Sequence, residues 1–273
     1  MEFVDIIKDI FQNKALVFNL AKNDFKQKFA GSYLGVIWAF VQPIVTVFVY
    51  WFVFTKALPT GASSMRNGIN VPYVVWLLGG LVPWFFFSEV VSSGTNAMID
   101  YNYLVKKVVF KIDILPVVKE FSSSFVHLFF LAFAIIFASF YHYYPGIYTL
   151  QLVYYFFCMV MFSLGLIYAT SAVVVFFRDL SQVINILLQV LVWMTPIMWN
   201  VDNLTKVSPA IIFILKLNPM YYIVQGYRDS LLYRVWFFEY PSLTIYFWVV
   251  TVLLFVLGTR IFKKLQVHFA DIL

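Results

Sequence analysis

The chain has 273 residues, of which 63% are hydrophobic and 12% charged, with a net charge of +6. A mean hydropathy of +0.86 excludes an ordinary soluble globular domain. The Lys excess on so apolar a chain suits an anionic membrane surface and gives no sign of nucleic-acid binding.

In chain order, residues 1–30 come first. Phe3, Ile7 and Ile10, then Phe18, Ala21, Phe25 and Phe29, recur at helical spacing among Lys22, Lys26 and Lys28. A helix of this kind lies in the interface plane, as a membrane anchor or as a docking collar for a partner. Charges interspersed along this segment do not read as a signal peptide. Six apolar runs follow, at Val36–Thr55, Val71–Val91, Phe121–Phe140, Leu152–Phe177, Val183–Trp199 and Leu243–Phe262. Each is long enough for a helix to cross a hydrocarbon core of roughly 30 Å, and none alternates as a barrel strand does. Lys and Arg concentrate on the side holding residues 1–30, the second-to-third connection and the tail, which places both termini in the cytoplasm.

Two connections read as more than loops. Residues 100–116 carry an apolar stripe of Val105, Val108, Val109 and Ile112 flanked by Lys106, Lys107 and Lys111, with Pro116 restarting the chain. That predicts a short helix on the cytoplasmic face. Residues 200–240 hold two short apolar pieces joined at Asn218-Pro219, which fits a re-entrant outer hairpin. The expected architecture is an all-α integral membrane protein with six transmembrane helices in one domain over 1–273. It adds an N-terminal amphipathic interfacial helix, a cytoplasmic coupling helix and a re-entrant hairpin before the last span.

Chemistry is sparse. No GxxxxGK[ST] loop, HExxH pair or nucleophile elbow occurs, and His127, His142 and His268 lie far apart. No catalytic residue, metal site or cofactor is therefore assigned. The lone Cys158 reads as helix filler. Glu89 is an isolated acid within a span, too little for an ion-coupled carrier and either a partnered structural acid or part of a pathway. Aromatics make up 21% of the chain. Those deep in spans, Trp38, Phe40, Trp84, Phe87 and Trp193, together with Trp199, either pack between helices or line a pathway for sugars through weak, repeated contacts. Pro43, Pro83 and Pro196 lie within the apolar runs as hinges or static kinks. Lys206, Lys216, Arg228 and Arg234 on the outer side suit either an anionic polymer or lipid headgroups.

Leu20–Ile44, LAKNDFKQKFAGSYLGVIWAFVQPI, resembles the start of the first span in permease subunits of ABC-2 type exporters. The matching residues are Asp24-Phe25-Lys26, Ser32, Leu34-Gly35, Trp38 and Pro43, with Asn23 where the family pattern has arginine. Ile114-Leu115-Pro116, Arg178-Asp179 and LNPMYYIVQGYRDSLL are also similar to that family, in order along nearly the whole chain. The resemblance runs closest to the branch that exports lipid-linked surface polymers. It implies a homodimer paired with two copies of a separate ATPase that binds ATP and Mg. It implies coupling to that ATPase through Asp24, Lys26, Lys28, Tyr101, Asn102, Lys106, Lys107, Arg178 and Asp179. The implied substrate is an undecaprenyl-linked polymer, wall teichoic acid first, with O-antigen or capsular polysaccharide or a small molecule as alternatives. The competing class is a polyprenyl-phosphate sugar transferase, which needs a cluster of acids or cations that the wide spacing of Asp100, Asp113 and Glu120 does not offer.

Overall fold

The computed structural model describes residues 12–57, 63–66, 69–106, 111–201 and 208–272. Helix α1, Lys14–Gln27, lies against the third long helix and buries Val17 and Ala21. Helix α2, Trp38–Phe52, begins in a tight turn at Gly35–Ile37 and ends in a widened turn at Val53–Ala57. A two-stranded antiparallel hairpin follows, β1 Ser63–Arg66 with β2 Ile69–Pro72, in the register Ser63↔Pro72 and Arg66↔Ile69. Next come α3 Tyr73–Thr95, the single turns α4 Ala97–Asp100 and α5 Asn102–Val105, and α6 Leu115–Phe140. After these run α7 Gln151–Val173, α8 Leu180–Met194, α9 Pro209–Lys216, α10 Pro219–Arg228, α11 Pro241–Leu265 and the short α12 Phe269–Ile272.

The core forms where apolar residues cover a helix on all sides. Helix α3 buries residues on every face, from Val75 and Leu77 to Val90 and Val91, and packs on α6, α7 and α10. Helices α7 and α11 approach most closely where two glycines meet. A Cβ on Gly165 would lie 2.9 Å from the Phe255 backbone nitrogen, and one on Gly258 would overlap the Gly165 carbonyl. Small residues at such crossings let backbones touch, which is how membrane helices associate without a hydrophobic drive. Helix α2, by contrast, exposes Ile44, Val45, Phe48, Val49 and Phe52.

Among the described residues, five helices are long and apolar enough to cross a membrane: Gly35–Ala57, Tyr73–Thr95, Ile112–Phe140, Ile147–Val173 and Pro241–His268. The expected fifth span departs from this. It is the 15-residue α8, about 22 Å at 1.5 Å per residue. The cause is Pro196, which drives Thr195 to an extended backbone, φ −83° and ψ 128°. Pro196 therefore ends the helix and is not a kink within it, whereas Pro43 and Pro83 lie inside α2 and α3. The third span begins at Leu115, not Phe121, because Lys119 and Glu120 are folded inside with partners. Pro116 sits in the first turn of α6, as its missing N–H allows. Within 100–116 the structure has two separate turns before a 3₁₀ turn at Ile112–Ile114; Val108 and Val109 lie outside the described residues, as do Phe3, Ile7 and Ile10. Within 200–240, α9 and α10 form two short helices, and Asn218 caps the second by accepting from the Met220 N–H at 3.0 Å.

Candidate functional site

The end of the bundle that holds α1 and α12 carries an ion network. Lys119 Nζ, at the start of α6, donates to Asp24 Oδ1 on α1 at 2.7 Å and pairs with Asp100 Oδ2 on α4 at 2.8 Å. The Tyr101 hydroxyl donates to the same Asp24 oxygen at 2.8 Å, and the ammonium lies 5.1 Å from the Tyr101 ring centroid. Lys119 and Asp24 side chains are 9% and 12% exposed, so the pair is largely desolvated, whereas Asp100 is half open to solvent. Burial and the Asp24 carboxylate push the Tyr101 phenol above its ordinary range, which keeps it a donor. Nearby, Lys28 pairs with Glu89 of α3, and Lys263 of α11 pairs with Asp113. The Asp24–Lys119–Asp100 network thus ties α1, α4 and α6 together, and the separate Lys28–Glu89 pair joins the end of α1 to α3.

A cleft opens from this network. Its outer lobe, 290 Å³, is bordered by Asp24, Asp100, Tyr101 and Lys119; its inner lobe, 220 Å³, runs between α2, α3 and α6 past Trp38, Pro43, Phe85 and Phe130. Lys28, Glu89, Ser122 and Ser123 border both lobes, so the two adjoin at these residues. His127 closes the inner floor, with Nε2 2.9 Å from the Tyr227 hydroxyl of α10.

The structure sorts the aromatic set. Trp84 and Phe87 are buried, and Phe87 stacks on Phe162 at 5.5 Å. Phe40 is wedged against Phe129 at 4.4 Å. These are packing residues. Trp38 and Trp193 are about half exposed, and Trp199 Nε1 donates to the Trp193 carbonyl at 3.0 Å. Of the expected coupling residues, Lys26, Asn102, Lys106, Arg178 and Asp179 are exposed. Ser181, beside that last pair, donates to Asn96 at 2.7 Å, so the α7–α8 turn sits beside the end of α3. Asp24 and Tyr101 instead turn inward, while Lys107 lies outside the described residues. Lys119, Asp100, Asp113 and Lys263 were not singled out from sequence as site residues; the available signal was charge interrupting or bordering an apolar run.

At the opposite end Arg228 corrects an expectation. It is 2% exposed and not a free outer cation. Nε donates to the Trp76 carbonyl at 3.3 Å, Nη1 to Pro196 at 2.8 Å and Nη2 to Ile197 at 2.7 Å. The guanidinium lies 3.5 Å over the Trp76 ring. Gly80 makes room for it, since a Cβ there would stand 2.7 Å from Nη2. Arg228 therefore clamps α10 to α3 and to the broken end of α8. A 150 Å³ cavity beside it is bordered by Lys216, Gln225 and Tyr221. Arg234 is exposed on left-handed backbone at φ 55°, and Lys206 lies outside the described residues.

Among the described residues no group of three or more His, Cys, Asp or Glu is placed to hold a metal ion. The sequence model of the ABC-2 type transporter membrane family matches residues 15–232. An O-antigen export system permease protein RfbA of Myxococcus xanthus is 27% identical over 226 residues, covering 82% of this chain and 83% of the relative. Two proteins of the same name from Klebsiella pneumoniae are 26% and 25% identical, each covering 93% of both chains. With most of its length matched, this chain belongs to the ABC-2 type transporter family.

Proposed function

We propose that this chain is the membrane subunit of an ATP-driven exporter that moves a lipid-linked surface polysaccharide of the O-antigen class out of the cytoplasm. The observation that carries the reading is the likeness, along nearly the full length of both chains, to permeases named for O-antigen export. Wall teichoic acid, favoured on sequence, loses part of its support because Arg228 is engaged in structure and does not offer charge to an anionic chain.

In this reading the end holding α1 and the ion network faces the cytoplasm, in keeping with the Lys distribution. A separate ATPase, two copies per exporter, binds ATP and Mg and pushes on the exposed α4–α5 turns and on Arg178-Asp179. The network of Asp24, Lys119, Asp100 and Tyr101 passes that push to α1 and α6 as one body. Helix α8, followed by the turn and bends of residues 195–199, makes the sixth crossing. A second copy of the chain is supported by Gln189 of α8, which is exposed among the exposed apolar residues Ile186, Leu187, Val190 and Trp193. Amide groups facing hydrocarbon cost free energy unless they find partners.

The test is purification of the tagged chain from its native membrane in mild detergent. The reading predicts an equimolar ATPase subunit and a mass corresponding to two copies of each. A folded chain that arrives alone and monomeric contradicts it.

A further inference from the structure

We propose that the two-lobed cleft between α2, α3 and α6 is a loading site for the neutral sugar headgroup of a lipid-linked glycan. The assignment rests on the exporter reading above and adds a place and a substrate chemistry to it.

Charge comes first. The outer lobe sets three carboxylates, Asp24, Glu89 and Asp100, against two ammonium groups, Lys28 and Lys119. Both lysines are already paired to those acids. A polyol-phosphate chain would meet surplus negative charge there, whereas sugar hydroxyls can donate to the carboxylates. Lys28 and Glu89 are about two-fifths exposed at the junction of the lobes, so this pair can open to a ligand without stranding a buried charge.

Polarity at depth comes second. Gln42, Thr46, Ser122 and Ser123 border the inner lobe amid phenylalanines. Pro43 lacks the N–H that would otherwise close on the Ala39 carbonyl, and both residues border the lobe. Thr46 already donates to the Gln42 carbonyl at 2.9 Å, but an acyl chain filling this space would leave the Gln42 amide, the two serine hydroxyls and the Ala39 carbonyl without partners, which is costly away from water. A ring bearing hydroxyls satisfies them and lays its apolar C–H face on Trp38, which is half exposed at the wall. The cleft has the size and mixed lining of a small-ligand site. The hydrocarbon anchor leaves past the exposed apolar face of α2 into the bilayer.

The test uses the full chain in phosphatidylcholine nanodiscs and a dodecyl maltoside carrying a diazirine on the tail beside the sugar. The proposal predicts labelling of peptides holding Trp38–Thr46 and Phe85–Glu89, suppressed by excess dodecyl maltoside and not by dodecylphosphocholine. Labelling falls about fivefold in Ser122→Ala/Ser123→Ala and in Glu89→Gln, the equivalent of one lost hydrogen bond. Trp38→Leu loses labelling and Trp38→Phe retains most of it; this exposed position leaves folding intact, which thermal unfolding checks. Equal suppression by the phosphocholine makes the cleft an ordinary lipid groove and overturns the proposal, as does labelling spread evenly along α2 and α3. Selective labelling of a chain that purifies without an ATPase upholds the site while removing the exporter reading.

Discussion

At the scale of single residues, the charges that matter are the ones the fold has taken out of water. Lys119 is held by two carboxylates and faces a phenol, and removing it leaves Asp24 buried without a counter-charge. Lys119→Met is expected to lower stability by about 3 kcal/mol, because one partner of a desolvated pair is lost. Adding Asp24→Asn should restore part of that loss; thermal unfolding of the single and double variants checks both. Two additive losses would show that the residues do not act as a pair. Arg228→Lys offers a different test, since an ammonium cannot reproduce the planar fork that reaches three carbonyls. We expect a loss of about 2 kcal/mol and faster proteolysis between α8 and α10, with ATPase binding unchanged. Retained stability would mean the guanidinium clamp is dispensable.

At the scale of elements, the long helices were legible because their apolar runs exceed what a bilayer requires. Helix α11 begins and ends within three residues of the run read from sequence. The start of α6 was not legible, because Lys119 and Glu120 break the apolar pattern and only the pairing of Lys119 with Asp100 and with Asp24, 95 residues away, explains why it is inside. Periodicity carries no information about such long-range pairing. The break after Met194 was misjudged for another reason: Pro196 stands in an apolar stretch that hydropathy alone continues to Trp199. The close crossing of α7 and α11 depends on Gly165 and Gly258, which in sequence look like any glycine of a membrane helix. Gly258→Val should push the two helices apart and cost at least about 2 kcal/mol, as overpacking does. Wild-type thermal stability in that variant would show that the crossing yields easily.

At the scale of the whole molecule, the coupling residues divide into two sets that sequence could not separate. Lys26, Asn102, Lys106, Arg178 and Asp179 are presented outward, whereas Asp24 and Tyr101 join an internal network with Lys119. On the proposed function, a push on the outward set reaches α1 and α6 through that network, beside the cleft that Lys28 and Glu89 border. On the same proposed function, this chain exports a finished lipid-linked polysaccharide and does not help to make it. The most direct test is deletion of the gene in the native cell, followed by comparison of polymer at the surface with lipid-linked polymer inside. The account predicts loss of surface polymer with lipid-linked glycan accumulating on the cytoplasmic side. Loss of the lipid-linked glycan itself, while its sugar precursors accumulate, would contradict export and point to a synthetic enzyme.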